Sequence, residues 1–249
     1  MKILKWEQLP PEMQNEEIRG YYNILKRKKA SLFFKRFFDI LVSFLMLVVF
    51  SPVFLILALA IKIDSPGPVF YRQERVTQYG KSFYIHKFRT MTQNADKKGS
   101  LITVKNDDRI TRVGRIIRKC RLDEIAQLID IFIGDMTFVG TRPEVVKYVE
   151  RYTPVMRATL LLPAGVTSEA SILYKDEDRL LDGVDNVDDV YVGTVLPGKM
   201  YYNLKSIENF SFWNDIGTMF KTVFTVLGKE YHSEISSKDD SKNEEIIFK

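Results

Sequence analysis

Apolar residues run without a period from Ile40 to Ile61, ILVSFLMLVVFSPVFLILALAI, and Ser51-Pro52 interrupts the run at its middle. A stretch apolar on every side is not the one-sided stripe of a soluble helix. Its length matches the roughly 20 residues that a helix needs to cross hydrocarbon. Cations flank both ends: Lys26, Arg27, Lys28, Lys29, Lys35 and Arg36 before it, Lys62, Arg72 and Arg75 after it. Lys and Arg mark the cytoplasmic side of a span, so the pattern asks for both ends on one side. Proline removes a backbone donor inside a helix, and the Ser51 hydroxyl can serve the groups so freed. The expectation is a re-entrant helix with Ser51 and Pro52 as its membrane break. Taken alone, the segment also fits a single-pass anchor with a proline kink. It starts too far along the chain for a secretory signal, and no small-residue cleavage site follows.

Beyond the breaker cluster Asp64-Ser65-Pro66-Gly67-Pro68 the period changes. Val69–Gln73 and Phe83–Phe88 read as two strands joined at Gln78-Tyr79-Gly80-Lys81, a hairpin. Gln93–Lys105 reads as loop. Arg109–Arg121 is a cationic amphipathic helix, with Ile110, Val113, Ile116 and Ile117 on one side, of a kind that can lie at a lipid interface. Asp123–Ile133 is a second helix with Leu128, Ile129 and Phe132 inward, and Glu144–Arg157 a third. The acidic region around Gly183–Gly198 reads as irregular, and Trp213–Leu227 as a last amphipathic helix that packs the core. The fold class is therefore α+β, mainly α-helical: a re-entrant membrane helix, a small β-hairpin and interfacial amphipathic helices. The ranges are 1–34 for an N-terminal arm or interfacial helix, 35–63 for the membrane helix, 64–228 for one cytoplasmic domain and 229–249 for a disordered tail.

Charge narrows the choice of partner. The 249 residues carry a net charge of +5, but Lys62–Arg121 holds roughly three basic residues for each acidic one. Beside a membrane, such a zone suits an anionic lipid surface, a phosphate-bearing substrate or nucleic acid. A nucleic-acid groove needs stacking aromatics along it. Here Phe83, Tyr84 and Phe88 alternate with other residues as hairpin packing does, so nucleic acid is not expected. One cysteine, Cys120, excludes a disulfide framework, and two histidines make a zinc site improbable. A metal would be held by oxygen ligands, as Mg2+ is.

Asp123-Glu124 follows the row Arg109, Arg112, Arg115, Arg118, Lys119 and Arg121. Adjacent acids at a helix start commonly cap it and offset its dipole. Alternatively the arginines hold substrate phosphates, one carboxylate attacks phosphorus and the pair holds magnesium. Lys87 and Arg89, two apart on a strand, share a face; Arg142 sits in the turn Thr141-Arg142-Pro143. His86 reads as packing across the hairpin and Cys120 as a small neutral filler. Walker A, GxGxxG, GxSxG and HExxH patterns do not occur.

In order, the pieces are a broken apolar helix, GPVFYRQERV, GKSFYIHKFRTM, and DDRITRVGRIIRKCRLDEIAQLIDIFIGDMTFVGTRPE. From about Lys35 to Phe224 this resembles the bacterial sugar transferases, the monotopic polyprenyl-phosphate phosphoglycosyl transferases. KFRTM, LDE with the later Gln, GDM and RPE at these spacings carry the resemblance, with SILYKDEDRLL, VLPGK and SFWNDIGTMFKTV beyond them. The resemblance implies an enzyme that transfers a phosphosugar from a UDP-sugar to polyprenyl (undecaprenyl) phosphate, releasing UMP, to initiate a surface glycan. It implies Asp123 as covalent nucleophile and Glu124 as its partner acid, both associated with Mg2+. Lys87, Arg89, Arg112, Arg118 and Arg142 then bind the substrate phosphates. The expected location is the cytoplasmic face of the bacterial inner membrane, in contact with membrane lipid, and homo-oligomer formation is compatible with it. The chain departs from the family pattern at Ala126, Thr141, Thr77, Leu162 and Ser168; the last two bear on donor choice. A non-catalytic membrane-bound partner of a polysaccharide assembly system is the alternative.

Overall fold

In a computed structural model, residues 1–93, 95, 108–175, 177 and 186–226 are described. The tail expected at 229–249, most of the Gln93–Lys105 loop and the start of the acidic Gly183–Gly198 region lie outside them. In chain order the elements are α1 (Glu16–Arg27), α2 (Lys29–Asp64), β1 (Phe70–Val76), β2 (Ser82–Phe88), α3 (Arg112–Lys119), α4 (Gln127–Ile133), β3 (Met136–Val139), α5 (Val146–Val149), β4 (Ala164–Thr167), α6 (Glu169–Leu173), α7 (Val187–Val190), α8 (Leu196–Glu208) and α9 (Phe212–Val226). The fold is α+β and mainly helical, as expected.

Helical backbone runs through Ser51-Pro52 without leaving the α-helical state. Pro52 has no N–H to give the carbonyl four residues back, Val48, and the Ser51 hydroxyl donates to that oxygen instead at 2.8 Å. Among the described residues α2 is the one helix long and apolar enough to cross a membrane, and its apolar side chains are mostly exposed.

Two units pack separately. One comprises 1–39, 75–83 and the chain from 135 onward. Its core joins Leu9, Met13, Ile18, Tyr22 and Leu25 of the N-terminal segment to Tyr152, Leu161, Val195, Met200 and Ile207. The N-terminal segment packs into this core: Asn15 caps α1 by accepting from Ile18 N at 3.0 Å, and Ile18, Tyr22 and Leu25 form its buried stripe. Two expectations are corrected. Only Val146–Val149 of the expected Glu144–Arg157 helix is α-helical, since the chain turns before Pro154 and resumes as a 3-10 turn at Met156–Leu161. The region after Asn186 is helical, as α7 and α8, because Val190, Val195, Leu196 and Met200 supply a buried face that acidic neighbours obscure in the sequence.

β3 and β4 pair in parallel, Met136 opposite Ala164 and Val139 opposite Thr167. Gly165 is required there, as a Cβ would lie 2.2 Å from Gly140 N. The start of α2 is tied to this sheet. Lys35 donates to Val139 O and to Asp215 of α9, both at 2.6 Å, and Asp39 accepts from Thr137 Oγ1 at 2.8 Å and Phe138 N at 3.2 Å.

The other unit comprises 40–74 and 84–134. Its core sets Leu57 and Ile61 of α2 against Phe88, Ile117 and Ala126. The hairpin is antiparallel, with Val69 O accepting from Arg89 N at 2.9 Å and Lys81 O from Thr77 N at 2.9 Å. The C-terminal end of α2 is clamped: Arg89 donates to Ser65 O at 2.7 Å, Ser65 Oγ at 2.9 Å and Pro66 O at 2.9 Å, while Asp64 accepts from Val113 N at 3.0 Å.

Because Leu25 is fully buried, Leu25→Ala should cost about 3 kcal/mol, the usual size for a buried leucine. Chemical denaturation followed by tryptophan fluorescence measures it; a loss under about 1 kcal/mol would show α1 to be peripheral.

Candidate active site

α3 starts at Thr111, which accepts from Gly114 N at 3.0 Å. A Cβ on Gly114 would lie 2.0 Å from Thr90 O, so glycine lets α3 sit directly on the segment that follows β2. Just past the end of α3 comes Arg121, whose φ of 55° is left-handed. For a non-glycine residue this conformation costs on the order of 1 kcal/mol or more. It turns the chain sharply into the 3-10 turn Leu122–Ala126, which carries Asp123 and Glu124 and runs on into α4. The expected helix over Asp123–Ile133 is thus a 3-10 turn and then a short α-helix. Its inward side also differs: Leu128, Asp130 and Ile131 are buried, whereas Phe132 is 41% exposed. On α3, Ile117 faces the core, but Ile116 is 64% exposed.

Four of the expected site residues come together. Lys87 of β2 donates to Glu124 Oε1 at 3.2 Å. Arg118 of α3 is oriented through Nε to Thr90 Oγ1 at 2.8 Å, and both Lys87 and Arg118 bear electrostatically on Asp123. Asp123 itself is partly buried. Its carboxyl is pushed above the ordinary carboxylate range, first by burial and then by the adjacent Glu124, with Lys87 and Arg118 pulling the other way. Desolvation thus outweighs the neighbouring cations.

Arg89 and Arg112 belong to the same unit as these four, Arg142 to the other. Arg89 is 5% exposed, and its two terminal nitrogens donate to Ser65 and Pro66, which closes the end of α2. Arg112 is exposed on the first turn of α3. Arg142, on the turn after β3, lines a small hollow with Thr77, Glu144 and Tyr152. That turn is fixed by Arg75, which donates to Pro143 O at 3.2 Å, and by Tyr191, which donates to Glu144 at 2.5 Å.

Sequence reasoning missed Asp130. It is buried in α4 and accepts both His86 N at 2.9 Å and His86 Nδ1 at 2.6 Å. The signal was an acid set among Leu128, Ile129, Ile131 and Phe132.

Residues 30–229 match the model of the family described as bacterial sugar transferase. The chain belongs to that family. It is 34% identical over 198 residues to a UDP-N-acetylgalactosamine-undecaprenyl-phosphate N-acetylgalactosaminephosphotransferase of Aeromonas hydrophila, covering 78% of this chain and 44% of the relative. It is 35% identical over 218 residues to an undecaprenyl-phosphate galactose phosphotransferase of Salmonella typhimurium, covering 82% and 42%. A UDP-glucose:undecaprenyl-phosphate glucose-1-phosphate transferase of Caulobacter vibrioides is 33% identical over 196 residues, covering 78% and 69%. The chain thus spans less than half the length of the first two. Asp123, Glu124, Lys87 and Arg118 all lie inside the family match, while α1, buried in its unit's core, precedes it.

Among the described residues no three His, Cys, Asp or Glu side chains converge as a metal cage. Two adjacent carboxylates, Glu124 raising the proton affinity of Asp123, nonetheless fit Mg2+, which keeps waters and binds through one or two carboxylates plus substrate phosphates.

A raised carboxyl binds its proton more tightly folded than unfolded, so ionised Asp123 destabilises the fold at neutral pH, and the penalty fades as pH falls below the unfolded value of about 3.9. Asp123→Asn should therefore raise the thermal midpoint at pH 7 and lose that advantage near pH 3.5. Thermal melts across pH check this; an unchanged or lower midpoint at pH 7 would refute it.

Proposed function

We propose that this chain transfers a phosphosugar from a UDP-sugar to polyprenyl phosphate and releases UMP, the initiating step of a surface glycan. The observation that carries the reading is the cluster of Asp123, Glu124, Lys87 and Arg118 in a family member whose relatives are named as undecaprenyl-phosphate sugar phosphotransferases. An Asp123 carboxylate oxygen attacks the sugar-bearing phosphorus, the bond from that phosphorus to the bridging oxygen breaks, and UMP departs with the bonding pair. The phosphate oxygen of polyprenyl phosphate then attacks the same phosphorus, the bond to Asp123 breaks, and the carboxylate is regenerated. Splitting the displacement in two spares two anions from meeting directly. Partial burial keeps the Asp123 carboxylate poorly solvated and hence reactive. Lys87 orients Glu124, and Arg118 supplies positive charge where negative charge develops. Asp123 and Glu124 would hold Mg2+, which offsets charge on the phosphate oxygens when bound.

The membrane reading is a monotopic protein on the cytoplasmic face of the bacterial inner membrane. Polar anchors at each end of α2 support it. Lys35 and Asp39 bond to β3, and Asp64 and Ser65 bond to Val113 and Arg89. Between Pro66 and Asp135 no second apolar run is long enough to cross, so both anchored ends share a side and α2 bends within the bilayer. Pro52 is the position where a bend costs least, because its lost bond is already replaced. Exposed Ile116, Phe132, Trp213 and Phe220 suit contact with lipid.

Incubated with Mg2+ and UDP-glucose or UDP-N-acetylgalactosamine, the purified chain should release UMP before polyprenyl phosphate is added and gain the mass of a phosphosugar at Asp123. Asp123→Asn should do neither, with turnover down at least ~1000-fold. Full activity in Asp123→Asn would reject the covalent route. Absence of UMP from a broad UDP-sugar panel would favour the non-catalytic partner.

In a Cys120→Ser background, single cysteines at Gln14 and at Ser206 should both resist an impermeant thiol reagent in intact cells and label after permeabilisation. Labelling of Gln14→Cys alone in intact cells would mean that α2 spans.

A further inference from the structure

The hairpin register has a consequence at His86. Val69 with Arg89 and Thr77 with Lys81 are hydrogen-bonded pairs. Alternation along an antiparallel ladder then makes Arg72 and His86 a non-hydrogen-bonded pair. The His86 N–H therefore points out of the hairpin, where no strand accepts it. The Asp130 carboxylate does, through Oδ2 at 2.9 Å, while its Oδ1 takes the ring Nδ1 at 2.6 Å. The side chain of Asp130 is 1% exposed and that of His86 13%. The protonation pattern follows from the far side of the ring. Arg72 Nη1 lies 2.6 Å from His86 Nε2. Guanidinium can only donate, so Nε2 accepts, the ring proton sits on Nδ1 and Asp130 accepts twice. Arg72 is itself held by Nε to Tyr84 O at 3.1 Å, and the Phe70 ring meets His86 edge-on at 5.8 Å.

The chain on either side of this clamp matters. His86 immediately precedes Lys87. Asp130 lies in α4, which grows directly out of the turn carrying Asp123 and Glu124. We infer that Asp130 and His86 are positioning residues for the catalytic dyad: the doubly accepting carboxylate fixes β2 against the Leu122–Ala126 turn, so that Lys87 reaches Glu124. The inference rests on the phosphosugar-transfer reading for its kinetic test, though not for its structural one. A hydrogen bond to a charged group accounts for about a 10- to 100-fold effect, and neither residue is proposed to touch substrate. The consequence belongs in kcat.

Full-length Asp130→Asn keeps the volume but can accept only one of the two bonds. With Mg2+ and UDP-glucose or UDP-N-acetylgalactosamine, its UMP release should show kcat lowered about 10- to 100-fold and KM within about twofold of wild type. Because the clamp acts through Lys87, adding Asp130→Asn to Lys87→Met should cost little more than Lys87→Met alone. A general loss of stability would multiply the two effects. If Asp130→Asn does not fold, the histidine decides. His86→Asn retains a donor near the place of Nδ1 and should keep most activity; His86→Gln places its amide near Nε2 and should lose it. Hydrogen exchange is the arm free of catalysis: Asp130→Asn, or His86→Gln in its stead, should speed exchange in peptides covering 82–89 and 122–130. Wild-type kcat in Asp130→Asn, equal rates in the two histidine variants, multiplicative losses with Lys87→Met, or unchanged exchange would each overturn the proposal. If wild type releases no UMP from any donor of a broad UDP-sugar panel, the functional reading falls, and the exchange result still decides the positioning.

Discussion

An apolar helix whose two ends must both find polar partners is the constraint on which the rest of the molecule depends. α2 exposes a long apolar surface, and groups at its two ends are held by charge. At one end the Lys35 ammonium, almost without solvent, is satisfied by Asp215 and the Val139 carbonyl. At the other, the Arg89 guanidinium gathers Ser65 and Pro66. Buried ions gain little net stability from pairing, but losing one partner strands the other. Such pairs therefore specify where the helix stops and the polar domain begins. Arg89, just past β2, thus fixes the place where α2 ends.

The same balance of desolvation and compensation recurs at the dyad. Asp123 sits in a partly dry setting beside Glu124, and burial together with that neighbour outweighs the pull of Lys87 and Arg118. The left-handed Arg121 beside it is strain of the sort that persists where surrounding contacts overdetermine the backbone.

Much of this was legible in the residues. The apolar run, the hairpin, the cationic helix and the acid pair each announce themselves by period or by contrast, and Lys87, Arg118, Asp123 and Glu124 were named before any coordinates. What escaped depends on partners distant in sequence. β3 and β4 are four residues each and lie far apart along the chain, so no local alternation marks them. α1 reads as polar because its three buried residues, Ile18, Tyr22 and Leu25, make a face only once Met200 and Leu161 join them in the core. The raised carboxyl of Asp123 is likewise hidden, because sequence lists charges and says nothing of burial. The Asp130–His86 clamp needs the hairpin register before its meaning emerges.

The burial of α1 has a consequence for the order of events during synthesis. Its core partners between Val149 and Phe210 leave the ribosome well over a hundred residues after it, a delay on the order of ten seconds at bacterial elongation rates. Throughout that interval Ile18, Tyr22 and Leu25 can pack only against near neighbours such as Trp6, Leu9 and Met13, while α2, next in line, is already complete. The N-terminal core therefore closes last, around a helix made long before most of its native neighbours exist.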